Sequence, residues 1–71
     1  MSQNLLRRTL SVEGIANAAD AAELEAGIGE VPGLESVDVD PHRGAVEVVV
    51  GSDVAVGDAR WVIQHLGYAL E

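Results

Sequence analysis

Residues 34–50 read LESVDVDPHRGAVEVVV, and this stretch decides the fold. From Leu34 to Asp40 apolar and polar residues alternate, with Val37 and Val39 on one side and Ser36, Asp38 and Asp40 on the other. From Ala45 to Gly51 the alternation resumes, with Val46, Val48 and Val50 on one face and Glu47 and Val49 on the opposite one. A period of two over β-branched residues marks strands. Between the two runs lies Asp40-Pro41-His42-Arg43-Gly44. Proline suits the second position of a type I turn, and Gly44 can adopt the left-handed conformation that closes it. The stretch is therefore a β-hairpin with one face committed to a core.

The chain before the hairpin supplies a strand and a helix. Leu6 to Val12 alternates, with Arg8, Leu10 and Val12 on one side, and Glu13-Gly14 breaks the pattern. Asn17 to Gly29 then reads as a helix. Asn17 is a good N-cap, and Asp20 in the first turn is an anion where the helix dipole favours one. Ala21, Leu24, Ile28 and Val31 recur at helical spacing, and Pro32-Gly33 stops the helix from continuing.

After the hairpin, Ser52 or Asp53 opens a connection to a second helix, with Asp58 as its cap or in its first turn. Val56, Ala59, Ile63 and Leu66 form its expected buried stripe, with Val62 beside it. Gly67 ends the helix, and Tyr68-Ala69-Leu70 makes a short last strand. The order is β-α-β-β-α-β. The expected architecture is an α+β, ferredoxin-like sandwich with two helices on a four-stranded antiparallel sheet. Residues 1–8 are expected to be a flexible N-terminal segment running into the start of the first strand, and residues 9–70 the domain itself.

Composition limits the function. The chain has 71 residues, enough for one domain with a small core. Twelve acidic residues against four basic ones, all arginine, give a formal net charge of −8. Such a chain repels phosphate backbones and anionic membranes, so nucleic-acid binding is not expected. Membrane insertion is not expected either, and Met1 to Arg8 lacks the apolar run of a signal peptide. A cytoplasmic location is the resulting expectation. An acidic, lysine-free, Ala- and Val-rich chain also suits a salt-loving organism, since salt screens the self-repulsion. The plainer reading of the charge is solubility. There is no cysteine, so neither a disulfide nor a thiolate site is available.

Several segments together resemble the heavy-metal-associated domain, the family of copper chaperones and of the amino-terminal domains of copper-transporting P-type ATPases. They are Val12-Glu13-Gly14-Ile15, then Val31-Pro32-Gly33-Leu34-Glu35-Ser36-Val37-Asp38-Val39, then Gly44-Ala45-Val46-Glu47-Val48, and finally Ile63 with Gly67-Tyr68. The similarity runs over roughly Thr9 to Leu70. The resemblance implies a non-catalytic domain that handles Cu(I), and sometimes Zn(II) or Cd(II), and docks on a metal transporter or chaperone domain. The family motif is glycine, methionine, any residue, cysteine, two residues, cysteine. Gly14 matches it, Ile15 stands in place of methionine, and Asn17 and Asp20 stand where the two cysteines belong. Leu24 and Ile28 keep the family's buried helix positions, which fixes this register.

Cu(I) is soft and prefers thiolate sulfur, for which amide and carboxylate oxygens are no substitute. Asn17 and Asp20 read first as helix-start residues, one capping and one facing the dipole. As a metal site they offer two hard oxygens, whereas Mg²⁺ or Ca²⁺ wants six or more. His42 in the hairpin turn and His65 near the end of the second helix are a poor Zn(II) pair, because such a site needs three or four ligands.

Trp61 falls away from the buried stripe, and Trp61, His65 and Tyr68 follow each other at spacings of four and three. They are candidate interface residues, since exposed tryptophan is enriched in interface hot spots. The alternative to a metal-handling role is thus a general protein-interaction or regulatory domain that uses the Trp61 helix face. Tyr68 otherwise fills space beside Ile15. Glu13, Glu23, Glu25, Glu30, Glu35, Asp38 and Glu47 read as solvated surface. No nucleophile stands beside a base, so catalysis is not expected.

Overall fold

A computed structural model describes residues 4–71. The expected flexible segment over residues 1–8 falls partly outside that range. The elements are β1 (Leu6–Glu13), α1 (Ala18–Ile28), β2 (Leu34–Asp40), β3 (Ala45–Val50), α2 (Asp53–His65) and β4 (Ala69–Leu70). The sheet order is β2-β3-β1-β4, with every pairing antiparallel. Two helices lie on a four-stranded antiparallel sheet, the ferredoxin-like arrangement read from the sequence.

The register follows the side-chain pattern. β1 pairs with β3 from Leu6↔Val50 to Ser11↔Ala45, so Leu6, Arg7 and Arg8 belong to the ladder. β3 is the central valine strand, and Val46, Val48 and Val50 are fully buried. A bulge between Leu34 and Ser36 sets β2 so that Val37 lies opposite Val48 and Val39 opposite Val46. The hairpin turn forms as read. The Asp40 carboxylate accepts from the backbone N–H of His42 and of Arg43 at 3.0 and 3.3 Å. Gly44 closes the turn at φ 63°, where a Cβ would sit 2.7 Å from the Val12 carbonyl oxygen. A side chain there meets both a disfavoured conformation and backbone it cannot displace.

α1 buries Ala21, Leu24 and Ile28, and Val31 follows them into the core. Its C-cap Gly29 stays right-handed at φ −59°. The chain turns away afterwards, through Pro32 and the positive φ of Gly33.

α2 departs from the expected boundaries. It starts at Asp53 behind Ser52 as N-cap, so Asp58 is a mid-helix residue rather than a cap or first-turn residue. Its buried stripe is Ala55, Ala59 and Ile63, four residues apart. Val56 and Val62 border the core, and Leu66 lies at the surface with 36% exposure. The helix ends in a Schellman motif. Gly67, at φ 98°, donates to the Gln64 carbonyl, and Tyr68 donates to the Ile63 carbonyl. This motif turns the chain into β4, which pairs Leu70 with Val12 and Ala69 with Glu13.

The sheet face away from the helices carries polar residues. There Arg7 and Glu47 approach to 3.8 Å across β1 and β3, while on the helix side Arg8 reaches Asp53 of α2 at the same distance. These exposed pairs are worth little each. They nevertheless place two of the four arginines beside acids.

Candidate functional site

The loop between β1 and α1 lies at the end of the sheet where β4 and the α2 terminus also arrive. Gly14 allows the chain to leave β1 with φ 106°, and the Tyr68 ring rests 3.4 Å from where a Gly14 Cβ would be. Ile15 and Tyr68 are both half-buried against the core. The loop is therefore anchored from the α2–β4 side by an aromatic ring.

Asn17 and Asp20 hold the start of α1 by two side-chain hydrogen bonds to the backbone. The Asn17 Oδ1 accepts from the Asp20 backbone N–H at 3.0 Å, and the Asp20 Oδ2 accepts from the Ala16 backbone N–H at 2.9 Å. Asn17 is the N-cap, with φ −159° and ψ 179°. The first N–H groups of a helix have no partner within it, and these two side chains supply partners to the backbone around that turn. Asp20, half-buried, also sits where the helix dipole favours its charge.

Tyr68 joins this cluster. Its hydroxyl donates to the Glu23 carboxylate at 3.0 Å. Glu23 is thus a tether between α1 and the start of β4, not only solvated surface. Burial of the ring, followed by the hydrogen bonds and charges of Glu23 and Asp20, pushes the phenol up from 10.0 to about 12. Loss of the proton would place a third negative charge among two carboxylates.

A pH dependence follows. Between pH 10.0 and about 12 the unfolded chain has lost the tyrosine proton that the folded chain retains. The folded state then binds more protons, so stability falls with rising pH. Tyr68's contribution is complete below the lower value and gone above the upper one. Phenolate absorbance of this one tyrosine should titrate well above free tyrosine, and Tyr68→Phe should flatten that alkaline decline. A midpoint at the free value would mean that neither the packing of the ring nor its contact with Glu23 is kept in solution.

The donors in this loop do not fit a soft metal ion. Asn17 and Asp20 present one amide and one carboxylate, with an oxygen of each engaged by backbone N–H. Among the described residues no group of three or more His, Cys, Asp or Glu side chains is placed to hold a metal ion. His42 is exposed in the hairpin turn, where its backbone N–H, not its ring, is engaged.

The three candidate interface residues divide. Trp61 and His65 stack with ring centroids 4.6 Å apart and planes 11° from parallel. Tyr68 does not join them, because the Schellman turn at Gly67 breaks the helical spacing and directs it to Glu23. Trp61 is 61% exposed. It lines a shallow groove with Gly27, Glu30, Val31, Pro32, Asp58 and Val62, at the far end of α1 from the loop. Sequence reading missed this groove and the Tyr68–Glu23 contact. Each joins residues more than twenty positions apart, and no local pattern announces either. No helix among the described residues is long and apolar enough to cross a membrane.

No family model matches the chain, and neither does any curated protein sequence. Solved structures do. A Bacillus anthracis str. Ames protein assigned as copper-ion-binding is 32% identical with a TM-score of 0.88, covering 99% of this chain and 100% of its own. The CopZ metallochaperone is 25% identical with a TM-score of 0.83, covering 93% and 100%. The N-terminal domain of ZntA, solved in its Zn(II) form, is 25% identical with a TM-score of 0.84, covering 92% and 88%. With a relative this similar over its whole length and with the same β-α-β-β-α-β order, the chain belongs to the heavy-metal-associated domain family.

Proposed function

We propose that the protein is a non-catalytic docking module in metal-ion handling, one that no longer carries a soft metal ion itself. The observation that carries this reading is the pair of side-chain hydrogen bonds to the backbone at the start of α1, made by Asn17 and Asp20, which by the resemblance stand at the motif's cysteine positions. The family scaffold around them is intact, including Gly14, the Val31-Pro32-Gly33 turn and the Gly67-Tyr68 ending. The side chains that would face a metal ion instead close the helix. Relatives of copper-ion-binding and metallochaperone description favour a partner of the same kind, a metal transporter or chaperone domain.

The test is an amide NMR titration of the protein with a metal-free, cysteine-bearing domain of this family, in about molar salt, where charge repulsion is screened to ~3 Å. Saturable shifts confined to Gly14–Ala21 and Tyr68 are expected. Absence of saturable shifts there would count against docking through this end.

A second reading has one observation in its favour. Trp61, largely exposed and beside a groove, suits a general protein-interaction or regulatory domain unrelated to metals. In that case the loop end is inert and binding concentrates on the helix face.

A further inference from the structure

The α1–α2 groove contains a combination found nowhere else among the described residues: an exposed indole, an apolar floor and two carboxylates. Val31, Pro32, Val62 and Gly27 provide the floor, Glu30 and Asp58 the charge, and Trp61 one wall. Its volume is about 230 Å³. That is below the roughly 300–1,000 Å³ of pockets that take whole small molecules, and it suits one long side chain. Gly27 keeps the floor low. A Cβ at Gly27 would lie 3.1 Å from Val62 and 3.2 Å from Leu66, so the helices approach closely beneath the groove.

We infer that this groove is a docking site for an arginine side chain on a basic segment of a partner protein. The inference rests on the binding role proposed above and holds for either version of it. Three features of the groove select the occupant. The stem of an arginine is apolar and covers an apolar floor, while its head stays charged. The guanidinium stacks on indole and forks onto carboxylates. One indole face is covered by His65, one turn further along α2. Asp58, one turn earlier on α2, lines the groove together with Trp61. A cation lying there meets a π-face and a carboxylate together, with Glu30 across the groove. Neither Glu30 nor Asp58 is in an ion pair with a cation of this chain among the described residues. Lysine fits less well, because its ammonium is more strongly hydrated and does not stack. An acidic or purely apolar segment would leave both carboxylates opposed or desolvated without a partner.

The test uses the full chain, in about 0.15 M salt, where the Debye length is ~8 Å. The probe is a blocked glycine-rich peptide with two arginines; the same peptide with glutamines replacing them is the control. The expected result is saturable amide shifts confined to Gly27, Glu30, Val31, Asp58 and Val62, a shift of the Trp61 indole N–H, and none of these with the control peptide. The double variant Glu30→Gln/Asp58→Asn should weaken binding by about fivefold or more, since it removes both charge-assisted partners. The charge-matched double variant Glu35→Gln/Asp38→Asn, on β2, should change it by less than about twofold, as screened distant charges do. Equal weakening by the two variants, or shifts spread over all acidic residues, would overturn the inference by reducing it to net charge. Shifts at the groove that grow with protein concentration alone would also overturn it, by making a second copy the occupant. Saturable shifts at Gly14–Ala21 with none at the groove would leave the loop reading standing and remove this one.

Discussion

The double variant Asn17→Cys/Asp20→Cys is expected to bind one Cu(I) tightly, while the parent chain binds none with sub-micromolar affinity. Both positions lie at the first turn of α1, and their side chains already converge there, one onto the Asp20 N–H and the other onto the Ala16 N–H. Two sulfurs in their place would face one ion, in the near-linear or trigonal arrangement that Cu(I) prefers. A helix N-terminus also lowers thiol pKa and so favours the thiolate that binds. Removing the Asn17 cap costs about 1 kcal/mol, and removing the Asp20 hydrogen bond about the same. A thousandfold gain in affinity is worth about 4 kcal/mol, so metal binding more than offsets the loss. A chelator competition should show the double variant at least ~10³-fold tighter than the parent, with each single variant in between. A folded double variant no better than the parent would show that the loop cannot present two ligands to one ion.

The second large effect concerns the core. Leu24 is fully buried at the centre of α1. Leu24→Ala should cost about 2–5 kcal/mol, the range for such truncations. A chain of 71 residues at roughly 0.05–0.15 kcal/mol per residue has only about 4–10 kcal/mol in total. The variant should therefore be marginal at low salt, where the net charge of −8 also opposes compaction. In urea its midpoint should fall steeply with an unchanged slope, and molar salt should recover part of the loss. Val54→Ala is the control. That side chain is 73% exposed, and its truncation should stay within about 0.5 kcal/mol of the parent. A Leu24→Ala loss as small as the control's would contradict the placement of Leu24 at the centre of the core.

Much of the fold was legible because its signals are local. The alternating valines of β2 and β3, and the proline and glycine between them, specify a hairpin without reference to the rest of the chain. The same holds for Asn17 and Asp20, whose capping geometry follows from residue type and spacing. The start of α2 was less legible. Val54 to Asp58 contains a glycine and an aspartate that mimic a turn and a cap, and the buried residue there is Ala55, too small to stand out in a hydrophobic pattern. Leu66 looked like core by spacing, but the helix stops beside it and leaves it at the edge. Trp61, His65 and Tyr68 looked like one face until the positive φ of Gly67 separated Tyr68 from the other two. What that turn creates instead, the contact with Glu23 that ties β4 to α1, depends on packing between distant elements. The groove beneath Trp61 depends on it in the same way.

The most direct test of the central claim is a two-dimensional amide titration of the parent chain with Cu(I), or Ag(I) in its place, in about molar salt, where nonspecific attraction is screened to ~3 Å. The account predicts no saturable shift at Gly14–Ala21 or Tyr68, because the start of α1 offers only hard oxygens, one of each side chain engaged by backbone N–H, and no thiolate is present. Saturable one-to-one shifts confined to those residues would show that the loop still carries the metal, and would contradict the claim that it has become a helix cap.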